Sequence, residues 1–397
     1  MEKEVKIHTK AVHAGDRKKP GPFVPVTTPI YTAASYFYEH LEQLDRVFAH
    51  EEPGFCYSRW DNPTSAALEE LITSLENGHG ALACASGMAA IQFALMAALT
   101  DRRKVVVAAD ALYGATITQL NTVMEPLGVK TQYVDFCDLE AVARAIAQHR
   151  PGCLLVETIS NPLLRVAALD RLGAMAREAK AALIVDNTFA TPLLMRPLEL
   201  GASLVVHSAT KYLAGHGDVL GGLVICDHGH YETLKQLARA CGPVLGPFES
   251  YLTMRGIKTF ALRMERQCGN AARIAAWLQQ HSRVERVHFP GDPAHPDAAV
   301  VRRLLPEGLH GGMVSFEIHD AGREEIFRFI DRLKLVVRAT SLGDVHSMIL
   351  YPVMSSHRDV PPKQRERMGI RDNLVRLSAG IEAAEDIIAD LEQALGC

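Results

Sequence analysis

The sequence predicts an α/β protein with a mostly parallel sheet covered by helices, an N-terminal arm and a smaller C-terminal α+β unit. Three observations carry this. Between residues 80 and 226, short apolar runs alternate with helical patterns, as strands buried on both faces require. Residues 1–62 show prolines and aromatics without helical period, and beyond 256 a long amphipathic helix leads into strands mixed with helix. The expected boundaries are therefore 1–62 for the arm, 63–255 for the α/β unit and 256–397 for the α+β unit.

The arm comes first. "PGPFVPVTTPIYT" (20–32) holds four prolines and reads as extended, while "FCYSRWDNPT" (55–64) is rich enough in aromatics to pack on something. The strands of the α/β unit are expected in "ALACAS" (81–86), "VVVAAD" (105–110), "TQYVDF" (131–136), "CLLVETI" (153–159), "ALIVDNT" (182–188), "SLVVHSA" (203–209) and "GLVICD" (222–227). Between them lie helices such as "DLEAVARAIAQH" (138–149), where Asp138 is the expected N-cap and Leu139, Val142, Ala143 and Ile146 the apolar face. "LDRLGAMAREAK" (169–180) is a second. Beyond 256 the expectations are one long helix (258–281), strands in "RVHFPG", "GGMVSFEIH", "LKLVVRAT" and "NLVRLSAG", and a terminal helix to Leu395.

Composition removes several function classes. With 42 Lys+Arg against 46 Asp+Glu and a net charge of −4, the chain has no basic nucleic-acid surface. The uncharged stretch 80–99 has the length of a membrane span, yet it is alanine-rich and broken by Ser86-Gly87, so a strand, a turn and a helix fit it better. The start lacks the apolar core of a secretory signal. None of the eight cysteines forms a C-x-x-C pair, and most sit in apolar segments, which points to a reducing, cytoplasmic compartment. His228 and His230 lack a third ligand at suitable spacing and read as a polar turn, so no metal site is expected.

Ligands of parallel sheets bind beyond the carboxyl ends of the strands. Glu157, Asn161, Asp186 and the group Ser208, Thr210 and Lys211 all end or follow apolar runs. The glycines around Lys211 match neither a dinucleotide fingerprint, because position 220 is Leu220, nor a Walker loop, because Tyr212 follows the lysine. "CASGMAA" places a strand, a Ser86-Gly87 turn and a helix start in succession, which suits a phosphate. A phosphate site plus a strand-end lysine suggests a phosphorylated aldehyde held as a Schiff base, hence pyridoxal 5′-phosphate. Asp186 then suits the ring nitrogen, and Tyr113, in "LYGAT", suits the ring face. Each position alone admits a plain reading: Asp186 as a helix cap, Arg376 as a surface strand residue, Tyr57 as a core aromatic, Asn161 as a turn former.

The motifs "YSRWDNPT", "SGMAA", "LYGAT", "ETISNP", "VDNTFATP", "HSATKYLAGHGDVLGG", "MRGIKT", "SLGD" and "RLSAGIE" occur in this order along nearly the whole chain. In this the chain resembles the Cys/Met-metabolism family of pyridoxal-phosphate enzymes, which includes cystathionine γ-synthase, cystathionine γ-lyase, methionine γ-lyase and O-acyl-homoserine sulfhydrylases. The resemblance implies the aminotransferase-like fold type I and a homo-oligomer, a tetramer built as a dimer of active dimers. It implies that Lys211 holds the cofactor and shuttles protons, that Asp186 pairs with the ring nitrogen, and that Tyr113 stacks on the ring. Ser86, Gly87, Met88, Ser208 and Thr210 would hold the phosphate, joined by Tyr57 and Arg59 from the neighbouring subunit. Asn161 would lie near the ring 3′-oxygen, and Arg376, Ser341 and Asn161 would clamp the substrate carboxylate.

The implied activity is γ-elimination or γ-replacement on cystathionine or an O-acyl-homoserine. Methionine γ-lyase, sulfhydrylase and a catalytically silent cofactor-binding relative are the alternatives. Methionine γ-lyases typically carry cysteine where this chain has Ala115, and several cystathionine γ-lyases carry glutamate where it has Thr340.

Overall fold

A computed structural model describes residues 5–16, 23–100, 103–358, 360 and 362–396. Seven strands form the larger sheet: β1 (Gly80–Cys84), β2 (Val105–Ala109), β3 (Lys130–Val134), β4 (Cys153–Glu157), β5 (Ala182–Asp186), β6 (Leu204–Ser208) and β7 (Gly222–Cys226). Their spatial order is β1-β7-β6-β5-β4-β2-β3, with β7 antiparallel to both its neighbours and the remaining pairs parallel. Every residue of β1, β4 and β7 is buried, which is why these strands read as unbroken apolar runs rather than alternating ones. All seven expected strands are present.

Local chemistry sets the connecting helices. Asp138 Oδ1 accepts the N–H groups of Glu140 and Ala141, both at 3.0 Å, and starts helix Leu139–His149. The buried face of this helix is Val142 and Ala145; Ala143, expected inward, is exposed. The uncharged stretch 80–99 is β1 followed by helix Gly87–Leu99, and among the described residues no helix is long and apolar enough to cross a membrane. Ser86 caps that helix, its Oγ accepting the Ala89 N–H at 3.1 Å. The turn is seated hard against the sheet. A Cβ on Gly87 would lie 2.9 Å from the Ser208 Cβ, and one on Gly222 would lie 2.1 Å from the Ser86 carbonyl oxygen. Glycine is required at both positions for the turn to reach the ends of β6 and β7.

The second sheet has the order β10-β11-β12-β9-β8, built from β8 (Val284–His288), β9 (Met313–Ile318), β10 (Val337–Arg338), β11 (Met348–Leu350) and β12 (Leu374–Ser378). It packs its own core, including Val314, Phe316, Val375 and Leu377, against helices Phe260–Leu278 and Ala384–Leu395. Here the expectations need correction. "LKLVVRAT" yields a strand of only two residues, because the Asp390 carboxylate takes the N–H groups of Lys334, Leu335 and Val336, each at 2.8 Å. Those donors are no longer available to a ladder. The three-residue β11 is too short to stand out in sequence. The arm also carries helices Ile7–His13 and Leu41–Phe48 that its prolines hide, although residues 23–39 are free of helix. Of the cysteines, Cys84, Cys153, Cys226 and Cys268 are buried; Cys397 lies outside the described residues.

Candidate active site

The carboxyl ends of β4, β5 and β6 lie side by side, with Glu157 in register with Asp186 and Asp186 with Val206. Over them opens a cavity of ≈ 420 Å³. Ten of the thirteen site residues expected from sequence line it: Ser86, Gly87, Met88, Tyr113, Asn161, Asp186, Ser208, Thr210, Lys211 and Arg376. Ser341 stands beside it, its Oγ accepting from Lys211 Nζ at 3.0 Å. Tyr57 and Arg59 do not reach it from the same chain. They are exposed, with the Arg59 guanidinium 5.4 Å from the Tyr57 ring centroid and Nη1 donating to the Arg239 carbonyl.

One end of the cavity is electropositive. Gly87 and Met88 open the helix that follows β1, so their amides belong to the first turn and have no acceptor within the helix. Ser208 and Thr210 line the same cavity, with the Thr210 Oγ1 accepting the Gly221 N–H at 3.0 Å, and the helix dipole adds to the attraction for an anion. Arg376, on β12, also lines the cavity and is buried at 3 % exposure. Its Nη1 donates to Asn161 Oδ1 at 2.8 Å and its Nη2 to the Ser341 carbonyl at 3.5 Å, while Nε has no partner. Among the described residues no carboxylate forms an ion pair with it. Burial pushes this guanidinium down to about 10, which registers how costly an unpaired cation is there.

Lys211 lines the same cavity. Burial first, and the charge of Arg376 second, push its ammonium down to about 8, so far more of the amine is neutral near physiological pH than for an ordinary lysine. Asp186 Oδ1 accepts the Thr188 N–H at 2.9 Å; burial raises this carboxyl, and its hydrogen bonds to Thr188 oppose the rise. Glu157, buried at 7 % exposure, is raised to about 8 by burial and by the Asp186 charge.

Glu157 and Ser355–Ser356 also line the cavity, and sequence reasoning left them out of the site. Glu157 does carry a signal, as a charged residue ending an apolar run. The serines carry none, since they arrive from the irregular segment between β11 and β12.

A first-turn anion cradle, a depressed lysine, a buried carboxylate and an unpaired arginine in one cavity fit a phosphorylated carbonyl cofactor and an amino-acid carboxylate. A family model described as Cys/Met metabolism PLP-dependent enzyme matches residues 8–396. The chain belongs to this family. The Cys/Met-metabolism chain is 41 % identical over 395 residues to an L-methionine gamma-lyase of Fusobacterium nucleatum subsp. nucleatum, covering 98 % of each chain. It is equally 41 % identical, over 372 residues, to a cystathionine gamma-lyase of Bacillus subtilis, covering 93 % of this chain and 94 % of the relative. Its fold superposes with a TM-score of 0.91 on the crystal structure of cystathionine gamma-lyase from Lactobacillus plantarum complexed with L-serine, at 34 % identity and 99 % coverage of both chains. It is thus a pyridoxal-phosphate-dependent enzyme with the fold type I architecture.

Proposed function

We propose that this enzyme carries out γ-elimination or γ-replacement on cystathionine or an O-acyl-homoserine, with Lys211 as the proton-transfer base. The observation that carries the reading is the placement of a depressed Lys211 amine in one cavity with the unpaired guanidinium of Arg376. Bound pyridoxal phosphate supplies the electron sink for negative charge at the substrate Cα. Gly87 and Met88 amides, with Ser86, Ser208 and Thr210, would hold its phosphate. Asp186 would pair with its ring nitrogen, Tyr113 would cover its ring, and Asn161 would lie near its 3′-oxygen.

The protein's own groups then do the following. Arg376 binds the substrate carboxylate through its planar fork, with Asn161 and Ser341 completing the clamp. Lys211, neutral, takes the Cα proton and then serves the Cβ position. Ser341, 3.0 Å from Nζ, holds the amine in line. Tyr113 assists proton transfer near the leaving group on Cγ.

Tyr57 and Arg59 act on the phosphate from the neighbouring subunit. Their exposure supports this, as do the large apolar residues the arm leaves uncovered, with Phe37 88 % and Leu41 83 % exposed. The assembly is accordingly a dimer at least, and a tetramer as a dimer of dimers. A cytoplasmic location accords with seven described cysteines that are free thiols.

The cavity lining includes the uncharged Thr340, Leu342 and Leu350, which favours a second reading in which methionine is also accepted. The relationship to the F. nucleatum methionine gamma-lyase supports it, and Ala115 in place of the cysteine typical of such lyases weighs against it. Discrimination among γ-substituents should stay near the ~1–3 kcal/mol that small pocket differences provide. Product analysis with cystathionine, O-acyl-homoserines and methionine, with and without a thiol, is expected to show turnover of more than one substrate, methionine being slower than the best of the others. Methionine as the best substrate by a wide margin would overturn the assignment.

A further inference from the structure

We infer that Glu157 is a positioning residue that holds Tyr113 and Asn161 together at the carboxyl end of β4. The inference rests on the roles proposed above for those two residues.

Both oxygens of Glu157 are engaged, and both by backbone amides. Oε1 accepts the Tyr113 N–H at 2.6 Å, and Oε2 accepts the Asn161 N–H at 3.1 Å. Tyr113 and Asn161 belong to separate loops, one following β2 and entering helix Gly114–Gln119, the other following β4. Tyr113 is itself 41 % exposed, so side-chain packing contributes little to fixing its loop; its short amide bond to Glu157 does so instead. Asn161 in turn accepts from Arg376 Nη1 at 2.8 Å. A single buried carboxylate therefore sets the aromatic that covers the cofactor ring and, through Asn161, the guanidinium that binds the substrate carboxylate.

The geometry requires two acceptor oxygens at this reach. Glutamine has one acceptor oxygen and would present an N–H₂ group to one of the two amides, leaving it without a partner. Aspartate has the oxygens but lacks the methylene that lets them reach both loops. Burying this carboxyl in register with Asp186 is unfavourable, since two such charges at adjacent strand ends repel. A residue that served only to fill the strand end would be satisfied by an apolar side chain.

The experiment compares wild type, Glu157→Gln and Glu157→Asp, each loaded with pyridoxal phosphate, by amide hydrogen exchange with mass spectrometry and by steady-state kinetics. In both variants, segments 111–116 and 160–163 are expected to exchange at least ~10-fold faster while β4 and β5 keep wild-type protection. The visible circular dichroism of the bound cofactor should fall, and KM should rise by ~10-fold or more for every amino-acid substrate. Uniform loosening of β4 and β5 would show a merely structural role and overturn the inference. Wild-type exchange and KM in Glu157→Asp would overturn it as well, because the reach of the longer side chain would then not be needed. If Glu157→Gln is not recovered folded, Glu157→Asp decides alone. Failure of the wild type to acquire a visible band would sink the proposed function instead, a result separate from either of these.

Discussion

Replacing Lys211 by alanine is expected to lower kcat by about 10⁴-fold, the upper range for loss of a positioned general base, while the protein stays folded and still takes up pyridoxal phosphate. The side chain donates to Ser341 Oγ from a partly buried position, and the turn around it is held by other bonds, among them the Lys211 N–H to the Ser208 carbonyl and the Ala214 N–H to the Ala209 carbonyl. Deleting the amine therefore removes chemistry rather than structure. The anion cradle at Gly87–Met88 and the Asp186 carboxylate are untouched, so cofactor affinity should weaken without vanishing. Far-UV circular dichroism, cofactor titration and product assays separate these effects. Undiminished turnover in Lys211→Ala would remove the lysine from the proposed role.

Arg376 carries the second large effect. Arg376→Ala should lose ~2–5 kcal/mol of kcat/KM, as removal of a buried charge-pair partner does, and should lose it for all amino-acid substrates together. An effect confined to one substrate would contradict the common carboxylate clamp. Stability should move the other way. In the cofactor-free protein the guanidinium is buried without a carboxylate partner, so Arg376→Met is expected to be at least as stable as wild type in thermal denaturation. The charge of Arg376 also helps to depress Lys211. Removing it should move the Lys211 titration upward from about 8, so that less neutral amine is present at any given pH below the new midpoint.

The larger sheet was legible because its strands are buried on both faces: runs such as "CLLVE" and "GLVIC" have no polar residue until they reach their ends. Those ends then point to the site. Asp186, Ser208 and Lys211 stand out as polar residues behind apolar runs, and the structure gathers them around one cavity. What escaped depends on partners distant in sequence. Nothing near "LKLVVRAT" announces that Asp390, in the last helix, will take its amide donors. Nothing in "MSSHRD" places Ser355 and Ser356 against the cavity, because that segment has no period of its own. Glu157 was visible as a strand-end charge, yet its two bonds to Tyr113 and Asn161 are set by sheet register, which a single strand does not reveal. Tyr57 and Arg59 were legible only through the family resemblance, and within one chain they stay on the surface.

The most direct test of Lys211 as the cofactor-bearing, proton-transferring residue is borohydride trapping of the wild-type enzyme with pyridoxal phosphate, followed by peptide mapping across pH. A visible band that borohydride bleaches, with the phosphopyridoxyl mass on the peptide containing Lys211, is the expected result. Because a neutral amine is the reactive form and burial depresses this one, uptake by the cofactor-free protein should quicken as pH rises, with its midpoint at about 8. Label on a different lysine, or no visible band at any pH, would contradict the assignment of Lys211.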